Sequence, residues 1–129
     1  MKVLCTGDRE WVDLETIVAE LEKLPSGTII IHGACRGADV ACGLIAEALG
    51  FVVRPYPADW SGLERAAGPI RNQHMVNVEH RTEEPIDLCL AFHDDLLRSK
   101  GTKDMIKRIE KAKIPWKQVK SRFCCSVQA

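Results

Sequence analysis

Short apolar runs alternate along this chain with longer segments whose apolar residues recur at helical spacing, and this alternation constrains the fold most. The runs are residues 3–5, 28–32, 51–54, 88–92 and 116–119. Between the first two runs, for example, Leu14, Ile17 and Leu21 recur at helical spacing with charged residues among them. Strands that alternate with helices form a parallel sheet covered on both faces. The sequence therefore predicts an α/β fold with about five parallel strands.

Size and composition limit the classes of protein to which the chain can belong. With 129 residues, 46% of them hydrophobic and 28% charged, the chain has the balance of one globular domain. We expect this domain to span residues 1–120, with a flexible tail at 121–129. The formal net charge of +0 disfavours a broad electrostatic grip on nucleic acid. No apolar run reaches the roughly 18 residues of a membrane span, and no signal peptide is visible, so we expect a cytoplasmic protein without a membrane partner.

The chain shows no convincing pattern of metal ligands. Its six cysteines include no Cys-x-x-Cys pair, and no histidine lies at zinc-finger spacing from them. Asp94 and Asp95 follow the fourth predicted strand, but no third ligand is placed near them, and a polar loop explains them better. His93, beside them, is the one histidine that we single out as a possible functional residue. We therefore expect neither a metal nor a cofactor.

The unusual residues of the sequence follow the predicted strands. In a parallel sheet, ligands bind beyond the carboxyl ends of the strands, where the strand order reverses. Glycine, arginine and aspartate collect at these positions: Gly7 and Arg9 after the first strand, residues 33–39 after the second, 57–60 after the third, and Gly101 with Thr102 after the fourth. This concentration predicts a ligand site at the carboxyl edge of the sheet.

The segment 33–39, Gly-Ala-Cys-Arg-Gly-Ala-Asp, allows two interpretations. Its glycines would let the backbone approach an anion at the start of a helix. A tight strand-to-helix turn explains it equally well, with Asp39 favoured by the helix dipole. The spacing matches neither a dinucleotide fingerprint nor a Walker loop, so it indicates neither a full dinucleotide nor an NTP–magnesium site.

Three further positions carry a functional and a structural interpretation each. Pro69 suits the first position of a helix, which would put Arg71 in the first turn, where it could bind a phosphate or lie in solvent. Thr102 can cap the last helix, and Asp104 in its first turn is either an acid–base group or an ordinary helix-start acid. Trp60 either stacks on a base or packs on its own loop.

Four motifs in register resemble a known family. Residues 32–39 (His-Gly-Ala-Cys-Arg-Gly-Ala-Asp), 57–60 (Pro-Ala-Asp-Trp), 67–75 (Ala-Gly-Pro-Ile-Arg-Asn-Gln-His-Met) and 101–105 (Gly-Thr-Lys-Asp-Met) resemble the YspA/YpsA-related branch of the SLOG superfamily. The resemblance runs from about residue 3 to residue 119. It implies a Rossmann-like three-layer fold that binds a nucleotide or nucleotide-derived ligand. Relatives in the superfamily include the Lonely Guy phosphoribohydrolases and the DNA-processing protein DprA.

The resemblance also implies roles for individual residues. Gly33, Gly37, Gly101 and Thr102 would cradle phosphate, and Arg71 would contact phosphate or ribose. Asp104 falls near the acid of the hydrolases, whose paired glutamates are here replaced by Asp104 and Met105. The hydrolases' Pro-Gly-Gly-x before Gly-Thr is likewise replaced, by residues 97–100. The predicted binding set is Gly7, Arg9, Gly33, Arg36, Gly37, Asp39, Trp60, Arg71, Asn72, Gly101 and Thr102, with Arg71 and Asp104 as candidate catalytic residues.

Two classes of function follow. The first is a small domain that binds a nucleotide-derived small molecule as a sensor or carrier. The alternative is an N-glycosidic hydrolase of nucleoside monophosphates or nucleotide sugars, in which Asp104 or Asp39 would supply a carboxylate. Binding of single-stranded nucleic acid is weaker, because the seven aromatic residues are dispersed. Homo-oligomerisation stays open, since many relatives in the superfamily are dimers.

Overall fold

The computed structural model describes residues 1–60 and 66–124. Its elements follow one another as strand and helix. The strands are β1 (Lys2–Gly7), β2 (Ile29–His32), β3 (Val52–Pro55), β4 (Leu88–Phe92) and β5 (Trp116–Val119), and the helices are α1 (Leu14–Glu22), α2 (Ala38–Ala48), α3 (Ala67–Glu79) and α4 (Gly101–Lys111). A short 3-10 helix, Leu96–Arg98, precedes α4.

The five strands form one parallel sheet in the order β3-β2-β1-β4-β5. The order reverses at β1, which pairs with β2 on one side and β4 on the other. In the sheet, Cys5 of β1 pairs with His32 of β2 and with Leu90 of β4. The carboxyl ends of these strands, followed by the loops rich in glycine, arginine and aspartate, therefore lie side by side. The predicted α/β fold with about five parallel strands is confirmed.

Two apolar clusters, one on each face of the sheet, hold the helices in place. Successive residues of a strand point to opposite faces, so Val3 and Cys5 join one cluster and Leu4 the other. α1 and α2 contribute Ile17, Leu21 and Ala46 to the first cluster. Met75 of α3 and Met105 and Ile109 of α4 belong to the second. The expected three layers, helices on both faces of the sheet, are therefore present.

Two details of the helix starts differ from the sequence-based expectation. α3 begins at Ala67, two residues before Pro69, so Arg71 lies in the second turn rather than the first. Proline is still tolerated there, because the first four helix amides have no partner within the helix. Thr102 does not cap α4. The Ser99 hydroxyl does so by accepting hydrogen bonds from the amides of Thr102 (3.0 Å) and Lys103 (3.3 Å).

Ser121 and Arg122, at the start of the expected tail, are hydrogen-bonded to the loops that follow β4 and β1. Ser121 donates from its amide and hydroxyl to Asp94, at 2.6 and 2.7 Å. Arg122 donates from its amide and side chain to Asp13, the buried N-cap of α1. Residues 125–129 of the expected tail lie outside the described residues, as does Gly62, a glycine in the loop after the third predicted strand. Among the helices described, none is long and apolar enough to cross a membrane.

Candidate functional site

A cavity of about 610 Å³ opens at the carboxyl edge of the sheet, around the point where the strand order reverses. It is lined by the end of β1, by Gly33 directly after β2, and by residues near the starts of α2, α3 and α4. Ten of the twelve residues predicted from the sequence line it: Gly7, Arg9, Gly33, Asp39, Trp60, Arg71, Asn72, Gly101, Thr102 and Asp104. The tertiary structure thus brings together motifs that lie up to 97 residues apart.

Glycines at this edge allow close packing between elements of the protein. A Cβ on Gly7 would lie 2.4 Å from the Phe92 carbonyl oxygen and 2.6 Å from the Ala38 Cβ. Gly37 has φ +79°, and a Cβ there would lie 2.4 Å from the carbonyl oxygens of Asp8 and Arg9. The amide of Ala38 also donates to the Asp8 carbonyl at 3.0 Å. Gly37 therefore joins the β1–α1 loop to the start of α2, and it does not line the cavity.

Gly33 makes room for Arg71. A Cβ on Gly33 would lie 2.7 Å from the Arg71 Cζ and Nη1 atoms. Arg71 reaches across from α3 to donate from Nη1 to the carbonyl oxygen of Gly33 and, at 3.2 Å, to that of Tyr56. The guanidinium is thereby bound to the ends of β2 and β3.

Most N–H donors of the Arg71 guanidinium are hydrogen-bonded within the protein. Besides the two carbonyls, its Nε donates to Asn72 Oδ1 at 2.9 Å, and its Nη2 lies 3.5 Å from the Cys35 sulfur. A guanidinium has five N–H donors. The contacts of the described residues leave one Nη2 donor for a ligand. Arg71 therefore offers a positive charge and one hydrogen bond, rather than a free two-pronged fork.

Asp104 belongs to a polar chain that links α3 to α4. Asn72 donates from Nδ2 to Asp104 Oδ2 at 2.9 Å, and Arg108 donates from Nε to the same oxygen at 2.9 Å. Arg108 also reaches Oδ1 at 3.2 Å. Burial by itself would raise the pKa of Asp104, but the hydrogen bonds from Arg108 and Asn72 outweigh it and lower that pKa. Asp104 is thus an ionised carboxylate that orients Asn72 toward Arg71.

Asp39 is the buried acid of the cavity. Its Oδ2 accepts hydrogen bonds from the amides of Gly33 (3.0 Å) and Cys35 (3.4 Å). Burial raises the pKa of Asp39 to about 6, although these amides and the charges of Arg71 and Arg9 oppose the rise. Amides satisfy the carboxylate without neutralising it, so desolvation dominates. This group changes charge close to neutral pH.

Trp60 and Arg9 form the outer wall of the cavity. The Arg9 guanidinium lies 5.8 Å from the centroid of the Trp60 ring, within cation–π range. The Trp60 side chain is about half exposed, at 49%. An exposed indole at the mouth of a cavity presents a flat apolar surface on which a planar ring can stack.

Two predicted residues lie outside the cavity, and several residues that were not predicted line it. Arg36 is exposed and pairs with Glu10 at 2.5 Å, and Gly37 packs on the neighbouring loop. The additional lining residues include Asp8, Cys35, Arg98, Ser99 and Lys100. Asp8 and Cys35 lie within segments that the sequence singles out, whereas Arg98 and Ser99 precede the predicted Gly101–Thr102 segment and were not expected at the site. Among the described residues, no group of three or more His, Cys, Asp or Glu side chains is arranged to hold a metal.

Comparison with known proteins identifies the family of the chain. A family model for the YspA, cpYpsA-related SLOG family matches residues 1–62. The chain is also 38% identical over 125 residues to the Gene 61 protein of Mycobacterium phage D29, covering 88% of this chain and 92% of the phage protein. The chain belongs to the YspA, cpYpsA-related SLOG family. In this SLOG protein the matched segment contains β1, β2, β3 and the loops with Arg9 and residues 33–39.

Proposed function

We propose that this SLOG protein binds a nucleotide or nucleotide-derived small molecule in the cavity at the carboxyl edge of its sheet, as a sensor or carrier. The observation that carries the proposal is the composition of this cavity. Among the described residues, three arginines (Arg9, Arg71 and Arg98), a half-exposed tryptophan and a set of polar acceptors surround one space of about 610 Å³. That volume is within the range of pockets that enclose small ligands.

Each part of a nucleotide has a counterpart in the cavity. Arg9 and the remaining Nη2 donor of Arg71 supply positive charge for a phosphate. The carboxylates of Asp8 and Asp39 can accept hydrogen bonds from ribose hydroxyls. The Trp60 ring offers a stacking surface for a base.

Fluorescence of Trp60 provides a direct test, because Trp11 is buried and Trp116 lies on the far edge strand β5. Purified protein is titrated with the nucleoside monophosphates of the common bases, with the same titrations followed by calorimetry. We expect a saturable change in emission that disappears in Trp60→Phe, while calorimetry still detects binding to that variant. Absence of heat and of an emission change for every nucleotide would contradict the proposal.

Two exposed arginines give a matched pair of variants for the same titrations. Arg9 lines the cavity, whereas Arg81 pairs with Glu84 in the turn after α3 and lines neither the cavity nor its rim. Arg9→Gln is expected to weaken nucleotide binding about tenfold, the worth of one charge-assisted hydrogen bond. Arg81→Gln removes the same charge and should leave binding unchanged. Equal effects of the two variants would mean that only net charge matters.

A second candidate, N-glycosidic hydrolysis, is favoured by the pKa of about 6 at Asp39. A carboxyl with such a pKa exists in both protonation states near neutral pH, as acid–base catalysis requires. In this reaction water adds to the anomeric carbon, the bond from carbon to nitrogen breaks, and the base leaves with a proton. Both Asp104 oxygens already accept hydrogen bonds, so Asp39 is the better candidate for the acid–base role.

Chromatography of the titrated mixtures separates the two candidates. Release of free base by the wild-type protein, lost in Asp39→Asn while binding persists, would support hydrolysis. Binding without release would support the sensor or carrier. Asp104→Asn serves as the comparison, since we expect it to perturb the Asn72–Arg71 contact without removing the acid–base group.

A further inference from the structure

A second, smaller cavity adjoins the first. Its volume is about 420 Å³, and five of the nine described residues that line it also line the larger cavity: Arg9, Gly33, Cys35, Trp60 and Arg71. Its other lining residues are Ala34, Arg36, Pro57 and Ala58. Arg9, Trp60 and Arg71 thus stand between two spaces, and a ligand that passes them can reach Arg36.

The two cavities differ in charge. Among the described residues, the larger one is lined by charges of both signs: the carboxylates Asp8, Asp39 and Asp104, and the cations Arg9, Arg71, Arg98 and Lys100. The smaller one is lined by Arg9, Arg36 and Arg71, and no carboxylate is among the described residues that line it. Carboxylates accept hydrogen bonds from hydroxyl groups and repel anions, whereas guanidinium groups attract them. The larger cavity therefore offers acceptors for the hydroxyl groups of a nucleoside beside its cations, whereas the described lining of the smaller one offers cations without carboxylates, which suits an anionic group.

Arg36 is available to a ligand at small cost. Its ion pair with Glu10 at 2.5 Å has both side chains 73% exposed. Exposed ion pairs contribute little to stability, so exchanging Glu10 for a more highly charged anion is not prevented by the folded structure. A ligand confined to the larger cavity cannot contact Arg36, because that residue does not line it.

From this arrangement we propose that the site selects nucleotides that carry a second, terminal phosphate group. The nucleoside lies in the larger cavity, the phosphate chain passes Arg9 and Arg71, and the terminal phosphate binds Arg36 in the smaller cavity. This rests on the nucleotide-binding function proposed above and specifies the ligand class. Arginine side chains carry out the recognition, which is consistent with the lack of a Walker loop in the sequence.

Calorimetry with matched nucleotides tests the proposal. For each base, the nucleoside monophosphate and diphosphate are titrated into the wild-type protein. A chelator removes divalent cations, so that the phosphates reach Arg36 without a bound metal ion. We expect the diphosphate to bind at least about tenfold more tightly than the monophosphate. ADP-ribose, whose second phosphate is esterified, is expected to bind more weakly than ADP.

The variant Arg36→Gln and its control Arg81→Gln then test whether Arg36 is responsible for the preference for diphosphates. Arg36→Gln should weaken the diphosphate about tenfold and leave the monophosphate unchanged, and Arg81→Gln should change neither. Equal affinity of mono- and diphosphates for the wild type, tighter binding of ADP-ribose than of ADP, or equal losses for both ligands in Arg36→Gln would each overturn the selectivity while nucleotide binding stands. If no nucleotide binds at all, both proposals are wrong.

Discussion

Two carboxylates face the same cavity from the first turns of helices on opposite faces of the sheet. Asp39, in α2, is 95% buried and accepts hydrogen bonds from two backbone amides. Asp104, in α4, is partly exposed and is bound by Arg108 and Asn72. Burial raises the pKa of Asp39 to about 6, whereas the hydrogen bonds from Arg108 and Asn72 lower the pKa of Asp104.

The difference shows that a position in the first turn of a helix does not by itself determine the pKa of a carboxyl group. Both acids occupy a position that the helix dipole favours, and the sequence around each suggests the same role. A guanidinium donates hydrogen bonds to Asp104, whereas Asp39 accepts them from uncharged amides, and burial outweighs these bonds together with the charges of Arg71 and Arg9. Only Asp39 therefore changes its charge near neutral pH, although Asp104 is the residue that the hydrolase motif singles out.

The largest expected effect on stability comes from the glycines at the starts of α2 and α4, Gly37 and Gly101. Gly37→Ala places a Cβ 2.4 Å from two carbonyl oxygens at φ +79°, and we expect it to lower the free energy of unfolding by about 4 kcal/mol. Gly101→Ala, where an added Cβ would meet no described atom within 4 Å, should leave it unchanged or raise it slightly. Urea denaturation measures both, and similar losses would show that the two glycines have the same role.

The pH dependence of stability sharpens the comparison of the two acids. Because the pKa of Asp39 is raised from 3.8 to about 6 in the folded state, its stabilising contribution is full below about pH 4. That contribution is lost as the pH rises through 6, and a shift of this size corresponds to about 3 kcal/mol. The lowered pKa of Asp104 has the opposite sign, since its contribution is present above pH 4 and is lost as the pH falls.

Variants of the two acids separate their opposite contributions to the pH dependence of the free energy of unfolding. The free energy of unfolding of the wild type minus that of Asp39→Asn should fall as the pH rises from 4 to 7. The same difference for Asp104→Asn should stay level over that interval and fall only at lower pH. A flat profile for Asp39→Asn would mean that the carboxyl titrates normally.

Loss of the helix cap at α4 should have a smaller effect. Ser99→Ala removes the hydroxyl that accepts from the Thr102 and Lys103 amides, and we expect it to lower the free energy of unfolding by about 1 kcal/mol. Thr102→Ser keeps the backbone amide and the hydroxyl and serves as the comparison. A larger loss in Thr102→Ser than in Ser99→Ala would point to Thr102 as the more important of the two.

The smallest expected effect on stability is at Asp104. Asp104→Asn replaces a partly exposed ion pair with Arg108, and we expect a loss of less than about 1 kcal/mol. Because Asn72 then loses the acceptor that orients it toward Arg71, nucleotide affinity should fall a few-fold. Calorimetry and denaturation on the same variant compare the two losses. Unchanged nucleotide affinity would show that the hydrogen bond from Asn72 to Asp104 is not needed to position Arg71.

Much of the fold and part of the candidate site could be predicted from the sequence. The apolar runs and helical stripes locate the five strands and four helices of the described residues, because these patterns depend on local spacing. The boundaries were less accurate, as the start of α3 before Pro69 illustrates. The 3-10 helix at Leu96–Arg98 was missed because the segment has no periodic apolar pattern.

By itself, the sequence determined the parallel sheet, the edge at which conspicuous residues collect, and the family. Only the tertiary structure decided what those residues do: Gly33 accommodates Arg71, Gly37 accommodates a neighbouring loop, Ser99 caps α4, and Asp39 rather than Asp104 has the raised pKa. The physical reason is that strand and helix patterns arise from neighbours in the chain. Burial, close approach and charge compensation arise from residues that are distant in the chain and meet only in the folded protein.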